Sequence, residues 1–256
     1  MTAMPTPYLR RLGALVLANL FGTGLAWALA DDLVTWSAQR DVARVSLGAG
    51  AVLTMCQAVL CALAPARLIG ALLFQAGAGL SLAWVMFNGI LPLWWMEEVA
   101  EPVGTFALLA LAVTSAGAAM RGAAGFRGRW RERGAQALAG YYEPAQGLLD
   151  WEMMQRQLAP PDDTSNAFLR ERGKPALAVV VGAVLFMLLG PGLVFGASSA
   201  AAMAWAGAIG LGLAFSVDLA GTALAQAYTV RQLERRDGAV LSAFPPGKRR
   251  QRKRRR

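Results

Sequence analysis

Apolar stretches about 20 residues long, the length of α-helix that crosses a hydrocarbon core about 30 Å thick, recur along this chain and leave little room for a soluble fold. They run from about Leu12 to Ala30, Val45 to Ala64, Leu68 to Leu91, Val103 to Met120, Ala176 to Phe195, and Ala200 to beyond Ala220. With 56% hydrophobic residues and a mean hydropathy of +0.42, much of the chain is expected to have lipid as its solvent. The expected architecture is an all-α integral membrane protein: a six-helix transmembrane bundle with a short helical cytoplasmic loop and a disordered basic C-terminal tail. Residues 1–120 carry spans one to four, 121–175 the cytoplasmic loop with an amphipathic helix, 176–230 spans five and six, and 231–256 the basic tail.

The first block follows Arg10-Arg11 and precedes Asp31-Asp32. Ala28-Leu29-Ala30 resembles a signal-peptide cleavage site, but the length of the apolar run fits an uncleaved anchor better. Pro65-Ala66-Arg67 predicts a tight turn, making blocks two and three a helical hairpin. Trp94 and Trp95 close block three as headgroup-level aromatics, and Glu97, Glu98 and Glu101 mark a short acidic loop.

Orientation follows from lysine and arginine, which are retained on the cytoplasmic side in short loops. With the amino terminus inside, all of the 25 basic residues except Arg40 and Arg44 are cytoplasmic. Both termini then lie in the cytoplasm. Arginine far outnumbers lysine, and alanine and glycine are abundant, as in proteins of GC-rich bacteria, so the expected location is a bacterial inner membrane. The net charge of +9 would suggest nucleic acid in a soluble protein, but here it sets topology first.

The cytoplasmic loop has its own pattern. Pro144 can open a helix on which Leu148, Trp151, Met154 and Leu158 share one face, with Pro160-Pro161 as its stop. That stripe, Trp151 and Met154 above all, is expected to contact the membrane interface, a partner, or its own bundle. A second short helix is expected between Thr164 or Ser165 and Gly173.

Candidate chemistry is sparse. The absence of histidine removes the usual general base and the commonest metal ligand. Cys56 and Cys61 point about 140° apart on a helix and form no redox or metal motif. No phosphate-binding loop is present, and an aspartyl protease would need a second membrane carboxylate. The expectation is a protein without enzymatic activity and without a cofactor or metal.

Asp218 is the one ionisable side chain well inside an apolar block. It lies about 29 Å along a helix that starts at Ser199, near the inner headgroups. Ala202, Ala206, Gly210, Ala214, Asp218, Thr222 and Gln226 recur every four residues, a small-residue stripe that ends in polar groups. Asp218 is expected to face protein and to meet an arginine or a polar group, with a transport role for Asp218, Thr222 and Gln226 as the alternative. Asn19, Thr23, Gln57, Gln75 and Asn88, spread one or two per span, are expected to hold helices together.

The tail, Lys248, Arg249, Arg250, Arg252, Lys253, Arg254, Arg255 and Arg256 with a single glutamine, is expected to be extended by self-repulsion. Anionic lipid is its first expected partner, an acidic protein the second and nucleic acid the third. The functional expectation is a structural or assembly component of a multiprotein membrane complex, such as a secretion or conjugative-transfer apparatus. It would contact the lipid bilayer and other membrane proteins or further copies of itself. The alternatives are a small-solute or ion transporter using Asp218 and, last, a lipid-modifying enzyme.

Overall fold

A computed structural model describes residues 6–63, 67–95, 101–143, 147–158 and 199–243, and these are mostly helical. The long helices are α1 (Thr6–Leu33), α2 (Trp36–Leu63), α3 (Leu68–Asn88), α4 (Glu101–Tyr141) and α6 (Ser199–Asp237), with a short α5 (Trp151–Leu158) between the last two. A 3-10 turn, Leu91–Trp95, follows α3. Five segments are long and apolar enough to cross a membrane: Tyr8–Asp31, Trp36–Ala62, Leu68–Asn88, Leu108–Tyr141 and Ile209–Asp237. The expected span from Ala176 to Phe195, the helix after Thr164 and the tail from Lys248 lie outside the described residues.

The bundle is built around α3, which packs against α1, α2 and α6, while α6 packs in turn on α4. Side chains sort by polarity in the sense that lipid demands. Leu17 and Leu20 on α1, Val52, Met55 and Val59 on α2, and Leu109 and Val113 on α4 are exposed, whereas Asn19, Gln39, Ser46, Gln57, Ser81 and Asn88 are buried. In water this sorting would waste apolar burial; in hydrocarbon it shelters the groups that need hydrogen bonds.

Aromatic side chains gather at both ends of the bundle, with Phe126, Trp130 and Trp151 together at the arginine-rich end and a second group at the other. Trp27 meets Trp36 edge-on, and Trp84, Phe87 and Trp94 stack in sequence. There Gln39 Nε2 donates to Asp31 Oδ1 at 3.0 Å, tying the start of α2 to the end of α1.

At the opposite, arginine-rich end the structure departs from the expected loop. The fourth helix does not stop at Met120 but runs 41 residues to Tyr141, so Arg121, Arg127, Arg129, Arg131 and Arg133 are helical and the boundary at 120–121 is no break. Arginine, alanine and glutamine are strong helix formers and no proline interrupts them, so the helix outlasts its apolar half. The expected helix beginning at Pro144 is shorter too. Leu148 and Leu149 form β2, paired antiparallel with β1 (Tyr142–Glu143) and parallel with β3 (Ser242–Ala243). Gly147, at φ 61°, makes the turn between β1 and β2 that a helix would forbid. The helix starts only after Asp150, whose Oδ1 accepts from Met153 N at 3.3 Å as an N-cap.

This end is closed by its own core. Leu149, Trp151, Met154 and Leu158 are buried against Phe126 and Ala137 of α4, Leu68 and Leu72 of α3, and Val230 and Leu233 of α6. Leu68 N donates to Leu241 O at 2.9 Å, and Glu234, itself buried, accepts from Leu241 N at 3.1 Å and from Arg231 at 3.2 Å.

The α4–α6 crossing depends on two glycines. A methyl group at Gly122 would strike the Asp218 carbonyl oxygen, and one at Gly221 would strike the Ala119 carbonyl oxygen, so the backbones approach as closely as they can. Neither neighbour is a flexible side chain that can yield. Gly122→Leu and Gly221→Leu should each destabilise the protein by at least the about 1–3 kcal/mol typical of overpacking. Gly117→Ala, where nothing lies within 4 Å, should be neutral or slightly stabilising. Thermal unfolding of the purified protein in detergent measures all three.

Candidate functional site

The polar end of the α6 stripe is spent on contacts within the chain. Asp218 Oδ1 accepts from Arg121 Nε of α4 at 3.3 Å, with the carboxylate side chain 29% exposed and the arginine 74%. One turn on, Thr222 lies against Gly122, where an added Cβ would be 2.8 Å from Thr222 Oγ1. A further turn on, the buried Gln226 accepts through Oε1 from Gln155 Nε2 of α5 at 3.0 Å. Asp218, Thr222 and Gln226 therefore lie along one seam, the first two facing α4 and the third α5. Among the described residues they sit at helix interfaces. An exposed ion pair in water contributes little, but a pair at the edge of the hydrocarbon is screened less and opposes separation of the two helices more strongly.

A second set of polar groups converges between α1, α2 and α3, where the sequence had suggested scattered adhesion points. Asn19 Nδ2 donates to Thr54 Oγ1 at 3.0 Å, and Ser46 Oγ to Thr23 Oγ1 at 3.2 Å. Asn19, Thr23 and the Trp84 indole nitrogen all face Gly50, with Cβ-to-atom distances of 3.7 to 3.9 Å. Gln57 lies against Gly77 and Asn88 against Gly22, so polar side chains sit over glycines of the neighbouring helix. Several buried atoms of this seam have no hydrogen-bond partner among the described residues: Asn19 Oδ1, Gln57 Oε1, Ser81 Oγ, Trp84 Nε1 and both amide atoms of Asn88. Ser46, Thr54, Ser81 and Trp84 were not singled out from the sequence. Their signal was phase: Gln39, Ser46, Gly50 and Gln57 recur along one face of α2, as do Gly77, Ser81, Trp84 and Asn88 along α3. Gln75, by contrast, is exposed and outside the seam.

The third feature is a crevice of about 420 Å³ between the starts of α1 and α3, whose walls include Tyr8, Arg11, Leu72, Gln75, Leu82 and Trp151. Trp151 is thus buried and also forms part of an open wall. Met154 is fully buried, so it faces neither membrane nor partner; the stripe of α5 packs on its own bundle because α3, α4 and α6 all present apolar side chains to it. The basic tail residues Lys248, Arg249, Arg250, Arg252, Lys253, Arg254, Arg255 and Arg256 lie outside the described residues.

Among the described residues, no three His, Cys, Asp or Glu side chains are placed to hold a metal ion. No protein-family model matches this chain, and no curated protein or solved structure is similar to it.

The arginine-rich end carries one strongly perturbed group. The Tyr142 hydroxyl donates to Asp237, whose carboxylate also accepts from Arg236 at 2.8 and 3.0 Å. Burial first, and then the hydrogen bond and negative charge of Asp237, push the phenol up to about 12. The folded state holds the phenol proton more tightly than the unfolded chain does. That contribution is complete below a pH of about 10, the ordinary value of a tyrosine, and is lost as the pH rises toward 12. The melting temperature of the wild type should fall more steeply between these pH values than that of Tyr142→Phe.

Proposed function

We propose that the protein is a non-enzymatic, six-span component of a multiprotein assembly in a bacterial inner membrane, with both termini and the arginine-rich end in the cytoplasm. The observation that carries this reading is α4. It buries one face on α6, leaves Leu108, Leu109, Val113 and Met120 exposed, and then extends beyond its apolar half with Arg127 and Arg131 on its surface. At 41 residues it is about twice the length that a bilayer needs. Such a helix offers an apolar flank to a neighbouring membrane subunit and a rigid basic rod to an acidic surface in the cytosol. The basic tail adds anionic lipid, and then acidic protein, as further contacts.

The Asp218 geometry also supports assembly over transport through that carboxylate. Its charge is met by Arg121, and its neighbours in the stripe, Thr222 and Gln226, meet α4 and α5. Isolation in mild detergent, followed by measurement of particle mass and identification of co-purifying chains, tests the proposal. A particle heavier than 27.1 kDa plus its detergent, containing other membrane proteins or further copies, is expected. A lone monomer would overturn it. Asp218→Asn should lower the amount of protein in the membrane; normal amounts of a variant that had lost solute flux in vesicles would favour the transporter.

A further inference from the structure

The crevice between α1 and α3 is graded in polarity along its length. At its arginine-rich end stand Tyr8, Arg11 and Trp151, with Gln75 midway along α3; deeper in, its walls are Ala14, Leu15 and Ala18 of α1 and Ala78 and Leu82 of α3. From Leu68 to Leu82 it follows α3 for about 21 Å, somewhat more than the half-thickness of a hydrocarbon core. A cation at the mouth and an apolar channel behind it match one kind of molecule in a membrane.

Two side chains at the mouth have unmet capacity. Arg11 is exposed and makes no ion pair among the described residues, so its guanidinium is available to a phosphate, which it can meet with paired hydrogen bonds. Trp151 is 93% buried by its 7% exposure, and its indole N–H has no acceptor among the described residues. Its ring is part of the crevice wall, so the glycerol and upper acyl region of a lipid entering there packs against the indole. Tyr8 is held at the mouth by an edge-on contact with Phe74, centroids 6.0 Å apart, which keeps its ring in the wall.

We infer that this crevice binds one anionic phospholipid, with its phosphate at Arg11 beside Trp151 and an acyl chain laid along Ala14, Ala18, Ala78 and Leu82. The proposal rests on the membrane-spanning reading above. It adds a specific ligand that ties α1 to α3 and, through Trp151, to the core under α5. Bulk lipid covers the outer faces without regard to charge, whereas this crevice selects for a headgroup.

The full chain, purified in a neutral detergent, is titrated with phosphatidylglycerol or phosphatidylcholine while its melting temperature is followed. Phosphatidylglycerol should stabilise the protein at lower concentration than phosphatidylcholine. Arg11→Gln should weaken the phosphatidylglycerol response about tenfold, with the phosphatidylcholine response unchanged. Arg10→Gln, a neighbouring exposed arginine outside the crevice wall, should retain the wild-type preference. An Arg11→Gln protein with the full preference, a wild type without one, or stabilisation by inorganic phosphate alone would overturn the proposal. Ala78→Trp fills the channel without altering the charge, and mass spectrometry of the intact protein should show one fewer retained lipid; an unchanged lipid count would also overturn it. A chain that remains dissolved without detergent would defeat the membrane reading itself, which is recognised before any lipid is added.

Discussion

Hydrocarbon offers no hydrogen bonds, and the structure is shaped by that single deficiency. Each backbone amide in a span must be met within its own helix, and each polar side chain must be turned toward another helix. This is why α3 is central. Its face bearing Ser81, Trp84 and Asn88 looks toward α1 and α2, while Gly79 lies against the α6 backbone at Ser216 and Ala220. The outward faces of α1, α2 and α4 then carry leucine, valine, methionine and aromatic side chains, Leu17, Phe21, Val52, Met55 and Val113 among them. Hydrophobic burial, the usual driving force of folding, is supplied by lipid as readily as by protein. What distinguishes this arrangement from other packings of the same helices is close contact at glycines and the sheltering of amides.

Two seams meet that requirement differently. Between α4 and α6, small residues bring backbones together and the polar groups at the edge are paired, Asp218 with Arg121 and Gln226 with Gln155. Between α1, α2 and α3, amides and hydroxyls lie at several depths, and some have no partner among the described residues. The first seam is a rigid joint that carries the long basic rod of α4. The second holds its helices less completely, and the crevice at its arginine-rich end opens beside it. A lipid seated there would brace the less complete of the two.

Much of this was legible from periodicity and length. The five described spans and the Asp218 stripe follow from composition at fixed intervals. Gly238, at φ 65°, directly follows Asp237, the last residue of α6, and stops it for the reason that glycine ends helices generally. Other features were hidden because they depend on which helices meet. The identity of Arg121 as the partner of Asp218 rests on residues 97 apart. The convergence of Asn19, Thr23 and Trp84 around Gly50 joins three helices whose order of packing no single helix encodes. The extension of α4 was missed for another reason: a run of arginines reads as loop when membranes are in mind, although arginine favours helix. Leu148 shared a face with Trp151 on paper, but pairing with Glu143 and Ser242 drew it into strand.

The inside-out sorting is the claim on which the rest stands, and labelling from within the lipid tests it most directly. The protein is reconstituted in bilayers containing an acyl chain with a photoactivated carbene precursor, and labelled peptides are located by mass. Label should fall on Leu17, Leu20, Val52, Met55, Val59, Leu109 and Val113, with Asn19, Gln57, Ser81 and Asn88 spared. Label concentrated on those four polar positions, with the apolar faces of α1 and α2 untouched, would contradict it.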